Sequence, residues 1–170
     1  MSYTVTVYVA SPGTPLLTEK PVGQTSGAGH VWYSINDGHG EQSFGFAPIK
    51  HGEKFGAGHV VNNDVANYKD PVYARTMEIS KDQYDKLKDF GASSAKHGFD
   101  MKFNGIDNAC IDYTWNALNH AELYETIQLG QFKNKTHEGS LKPLDNIDDI
   151  QSIKAPFPNS SLNREVKHPL

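Results

Sequence analysis

Apolar and polar residues alternate from the start of the chain. Tyr3–Ala10 reads Tyr-Thr-Val-Thr-Val-Tyr-Val-Ala, a β-branched and aromatic run of period two, which predicts a strand. Ser11-Pro12-Gly13-Thr14-Pro15 ends it. A Gly/Ser/Thr-rich stretch over 23–29 leads into His30-Val31-Trp32-Tyr33-Ser34-Ile35, a second strand. Asn36-Asp37-Gly38-His39-Gly40 is turn chemistry and residues 41–48 resume as a third strand. Residues 30–48 therefore read as a β-hairpin with a loop of about five residues. Residues 50–70 hold many Gly, Asn and Asp and read as an irregular connection, followed by a fourth strand over 72–79.

The period changes after residue 80. Ser80 with Gln83 three residues later fits a capping box. Tyr84, Leu87 and Phe90 then predict a helix to about Ala95, weakened in its second half by Gly91. Residues 99–103 read as a short strand, and Gly105-Ile106-Asp107-Asn108 as a turn. A second helix is expected over 109–120, where Ile111, Trp115 and Leu118 form an apolar stripe at i, i+4 and i+7. The pattern fades after about residue 130. The expected division is a domain over 1–130 and an extended polar tail over 131–170, a tether to a further region or a wrap over the domain. Gly27-Ala28-Gly29-His30-Val31 recurs as Gly56-Ala57-Gly58-His59-Val60, read as coincidence, but it makes His59 a rival to His30.

Composition narrows the class. With 170 residues, 37% apolar and 21% charged, the chain suits one ordinary domain. Its longest apolar runs fall far short of the roughly 18–20 residues of a membrane span, so no membrane insertion is expected. A net charge of −4 and the lack of a basic cluster argue against a general nucleic-acid binder. The N-terminus has no basic n-region, so it is not read as a Sec signal peptide. One cysteine excludes an intramolecular disulfide framework and a Cys-rich zinc site.

That cysteine, Cys110, falls at the first turn of the second expected helix. Free backbone N–H groups and the positive helix end favour a thiolate there, and the same amides can hold an oxyanion. The competing reading is core filler, since free cysteine is among the most buried residue types. A cysteine nucleophile needs a base, and His30 opens a strand after a Gly-rich loop. Counting across the hairpin puts Ser34 near Gln42 and Trp32 near Phe44. Gln42 is then the expected orienter of His30, with Glu41 and His39 as alternatives if the turn is longer or bulged.

Two stretches together resemble a known group. Gly29-His30-Val31-Trp32-Tyr33-Ser34-Ile35 with Ser43-Phe44-Gly45-Phe46-Ala47-Pro48 resembles the His-bearing hairpin of circularly permuted papain-like cysteine hydrolases. Phe103-Asn104-Gly105-Ile106-Asp107-Asn108-Ala109-Cys110-Ile111-Asp112-Tyr113 resembles their Asn-x-Cys helix start. The group includes permuted relatives of NlpC-type cell-wall peptidases, lecithin:retinol acyltransferase-like enzymes and PPPDE deconjugating peptidases. The likeness covers about residues 27–120, and in the permuted members His precedes Cys, as here. It implies an α+β fold, an antiparallel sheet packed with a few helices, with the nucleophile at a helix N-terminus. It implies Cys110 as nucleophile, His30 as general base, Gln42 as third residue and Asn108 as helix cap or oxyanion residue, with no cofactor and no metal.

The leading expectation is thus a thiol peptidase or amidase acting on peptidoglycan peptides. The resemblance extends to antibacterial toxins delivered by secretion machines, which implies action in a target-cell periplasm and an immunity or carrier protein as partner. A cytoplasmic enzyme shares the same traits. A second reading keeps the site for a protein deamidase, deconjugating peptidase or acyltransferase, and the Asn/Asp-rich loop at 62–70 would line any such cleft. Two other classes remain: a metal protein using His30, His39, His51 or His59, though no HExxH occurs, and a non-catalytic binding module with Tyr68, Tyr73 and Tyr124.

Overall fold

The computed structural model describes residues 2–17, 23, 29–49, 55–104, 109–127, 132–134 and 142–168. In chain order its elements are β1 (Tyr3–Ala10), β2 (His30–Asn36), β3 (Glu41–Pro48), β4 (Phe55–Val61), α1 (Asp64–Asn67), β5 (Tyr73–Ile79), α2 (Lys81–Ala92), β6 (Lys102–Asn104), α3 (Cys110–His120), β7 (Glu125–Ile127), β8 (Phe132–Asn134), α4 (Ile147–Gln151) and β9 (Arg164–Lys167). The fold is α+β. Among the described residues, seven strands form one sheet in the order β6-β4-β3-β2-β1-β5-β9, every pairing antiparallel, and β7 and β8 form a separate ribbon.

Alternation assigns the two faces. Val5, Val7 and Val9 of β1 stand opposite Ile35, Tyr33 and Val31 of β2, and all six are buried. Met77 and Tyr73 of β5 continue that face on the other side of β1. Helices α2 and α3 cover it with Leu87, Phe90, Tyr113 and Trp115, each buried apolar side chain being worth roughly 1.5–3 kcal/mol. Polar stitches fix the helices: Tyr33 donates its hydroxyl to the Leu87 carbonyl at 2.8 Å, and Thr114 donates to the Val31 carbonyl at 3.2 Å. The capping box at Ser80 and Gln83 is complete. Helix α2 ends at Ala92, short of the expected end, and a 3₁₀ turn over Ser94–His97 follows.

The opposite face carries His30, Trp32 and Ser34, and α1 lies over this side beside β3. Here the chain departs from expectation. The irregular connection expected over 50–70 contains β4 and α1 among its described residues. Neither has a strong pattern: β4 includes two glycines and no fully buried residue, and α1 is a single turn.

The end of the chain also differs from an extended polar tail. Residues 142–168 pack onto the body: Ile150 and Ile153 enter the core, and β9 pairs with β5 at the sheet edge. Asn146 accepts the indole N–H of Trp115 at 3.0 Å, and Arg75 donates to the Ile150 and Gln151 carbonyls. A few apolar anchors and side-chain bonds to backbone hold this segment, so its polar composition conceals it. Among the described residues no helix is long and apolar enough to cross a membrane.

Candidate functional site

The geometry begins at the first residue of β2. Gly29, with φ +85°, precedes it, and a Cβ there would stand 2.6 Å from the Ala10 carbonyl oxygen and 3.1 Å from Pro143 Cγ. His30 then pairs with Ala10 and is buried, the whole residue 4% exposed. Its Nε2 bonds Oδ2 of Asp64 at 2.9 Å, and both side chains are buried. Asp64 opens α1, and Tyr68 follows four residues later, so both side chains fall on one side of the turn. Tyr68 meets the imidazole edge-on, with ring centroids 4.8 Å apart. The turn is pinned from outside: Leu17 N–H bonds the Asn67 carbonyl at 2.8 Å, and Leu16 bridges to Tyr68.

Space for the pair comes from Gly45. A Cβ on Gly45 would collide with the Asp64 carboxylate and would lie 2.9 Å from His30 Nε2. The electrostatics follow from this packing. Burial works against a charged His30, but the Asp64 carboxylate, then Tyr68 and Cys110, outweigh it and hold the imidazole well above its ordinary value. The packing favours the charged form of the pair, in which an imidazolium donates Nε2–H to a carboxylate. Among the described residues Nδ1 has no hydrogen-bond partner.

Cys110 is the first residue of α3 and is 9% exposed. Ala109 N–H bonds the Asp112 carboxylate at 2.7 Å, which ties down the entry to the helix. One turn further on, Thr114 rests on the Val31 carbonyl, so the first turns of α3 lie against the start of β2. Cys110 is thereby near enough to act on His30 through space. No hydrogen bond joins the two side chains among the described residues.

Gln42 is elsewhere. The hairpin register is Ser34 with Ser43 and Ile35 with Gln42, one residue away from the expected count. Asn36 pairs with Glu41, so the loop is residues 37–40, tightened by Gly38 N–H and His39 N–H bonding the side chains of Asn36 and Asp37. A one-residue slip turns a side chain to the other face, so Gln42 stands on the side of Ile35 and is exposed. Glu41 accepts from Tyr8 and Ser34 rather than from His30. Asp64 occupies the orienting position, and its signal in the sequence was only the acidic content of 62–70. His59 is exposed on β4, opposite Ala47. Asn108 and His51 lie outside the described residues.

A groove of about 490 Å³ is lined by Ser11, Pro12, Thr14, Pro15, Lys69 and Asp70 among others, and by none of His30, Asp64, Tyr68 and Cys110. Among the described residues no group of three His, Cys, Asp or Glu side chains could hold a metal ion. Compared with protein-family models, curated proteins and solved structures, the chain matches none.

Proposed function

We propose that this protein is a thiol hydrolase that cleaves an amide bond through a thioester, with Cys110 as nucleophile, His30 as acid and base and Asp64 as orienter. The observation that carries the reading is the division of His30 between its two nitrogens. Nε2 is committed to Asp64, while among the described residues Nδ1 has no hydrogen-bond partner, and Cys110 is one of the groups that act on the ring electrostatically. A base oriented by a carboxylate, with a cysteine opening a helix that packs on the same strand, supplies the parts that nucleophilic catalysis needs. The resemblance to permuted papain-like hydrolases points the same way and suggests a peptidoglycan stem peptide or cross-bridge as substrate.

In this mechanism the Cys110 thiolate attacks the amide carbon, and N–H groups of the first turn of α3 stabilise the oxyanion. His30 gives the Nδ1 proton to the departing amine as the C–N bond breaks, leaving a thioester. Nδ1 then takes a proton from water, whose oxygen attacks the thioester carbon. The acid leaves, the thiolate returns and His30 is again charged. Asp64 holds the ring throughout.

The test is mass spectrometry of purified peptidoglycan fragments incubated with wild type and variants. Cys110→Ala and His30→Ala are expected to abolish new fragments. Asp64→Asn is expected to slow their formation roughly 10²–10⁴-fold, as loss of an orienting carboxylate does. Gln42→Ala is expected to leave the rate unchanged. No fragments from wild type, with Cys110 alkylated rapidly by iodoacetamide at neutral pH, would discard the cell wall and leave protein or acyl substrates. No fragments and slow alkylation would end the hydrolase reading.

A further inference from the structure

The sheet face opposite the helices carries a cost that packing alone does not require. Trp32 is fully buried, and among the described residues its indole N–H has no hydrogen-bond partner. An unsatisfied buried donor is destabilising, and a phenylalanine would fill most of the space without one. What indole adds is its face, which attracts a cation more strongly than phenyl or phenol does. That face lies beside an imidazole whose charged form Asp64 favours. Trp32 stacks on His30 with ring centroids 5.4 Å apart and planes 23° apart. Tyr8 stacks on the same indole at 4.9 Å and 11°, and donates its hydroxyl to Glu41 at 2.7 Å. Three stacked rings thus run from Glu41 to the His30 imidazole.

We infer that Trp32 is a positioning residue whose indole face holds His30 as the imidazolium and fixes the ring so that Nδ1 remains free for Cys110. The clause about Cys110 rests on the thiol-hydrolase reading; the clause about the charge on His30 does not. Among the described residues, the titratable groups that act on His30 are Asp64 from α1, Tyr68 just after it and Cys110 from α3. Trp32 carries no charge, so it acts on the imidazolium only through its ring. Burial disfavours the charged imidazole, and an attractive face beside it offsets part of that penalty.

Nitrogen-15 histidine NMR of the full chain tests this. His30 would be titrated in wild type, Trp32→Phe and Trp32→Leu, and again with Cys110→Ala added to remove the thiol. The Nε2 proton signal would report that the bond to Asp64 is kept. The titration midpoint is expected to fall in the order Trp, Phe, Leu, with leucine lower by about one pH unit. The sign separates this role from simple packing: a looser, wetter site would relieve burial and raise the midpoint. Equal midpoints, or a rise, overturn the inference. Should Trp32→Leu fail to fold, Trp32→Phe decides, with a fall of about half a unit expected. The pH profile of Cys110 alkylation is the second readout. Its midpoint is expected to move with that of His30; a His30 shift with the alkylation profile unmoved supports the charge clause and overturns the Cys110 clause.

Discussion

A missing methyl group at residue 45 decides whether His30 and Asp64 can meet. The two side chains come from β2 and α1, and both occupy space that any Cβ on Gly45 would claim. Gly45→Ala is therefore expected to cost about 1–3 kcal/mol, the usual range for overpacking a filled site. It is also expected to push Asp64 off His30. Urea unfolding and the His30 Nε2 proton signal would check both, and an unchanged midpoint with an unchanged signal would mean the backbone yields freely. Cys110 and His30 were legible as candidates because each stands beside a local signal, a helix start and a strand start. Asp64 had no such mark. It was one acidic residue among several in an Asn/Asp-rich stretch, and only the turn that places Tyr68 one step above it brings both onto the imidazole.

Among elements, strong periodicity carried the reading and weak periodicity hid the rest. β1, the hairpin, α2 and α3 have repeating apolar positions, whereas β4, α1, α4 and β9 take their places from neighbours. The attachment of α4 to β7 shows this kind of join. Thr126 N–H bonds the Ser152 hydroxyl at 3.0 Å, while Asp149 on α4 shares a proton with Glu125 on β7. Burial, then Glu125, raises the Asp149 carboxyl from 3.8 to about 7, with Asp148 and Asp145 adding to the shift. The folded chain thus holds a proton that the unfolded chain releases near 3.8. This contribution to stability is complete below that value and is lost as pH rises through about 7. Glu125→Gln removes the like charge and is expected to flatten the decline between those values, read as melting temperature against pH. A profile identical to wild type would show that the shared proton does not couple the two elements.

At the scale of the whole molecule, the His30–Asp64 pair ties the second face of the sheet to the first turn after β4. Because the folded His30 titrates above its unfolded value, its contribution is full below about 6.5 and is lost as pH rises through the folded midpoint. This adds to the decline from Asp149, so the protein is expected to lose stability toward alkaline pH. Denaturant unfolding over a pH series would show it, and Asp64→Asn is expected to remove the His30 part; a slope unaltered by Asp64→Asn would place the loss elsewhere. The sequence by itself determined what short-range chemistry encodes: an α+β chain with an antiparallel hairpin, two amphipathic helices and a cysteine opening the second. Tertiary structure decided the hairpin register, which a single loop residue shifts, and so sent Gln42 to the other face. It also decided that Asp64 partners His30 and that residues 142–168 complete the sheet and core. Those choices depend on contacts between residues far apart in the chain, where no local period or propensity acts.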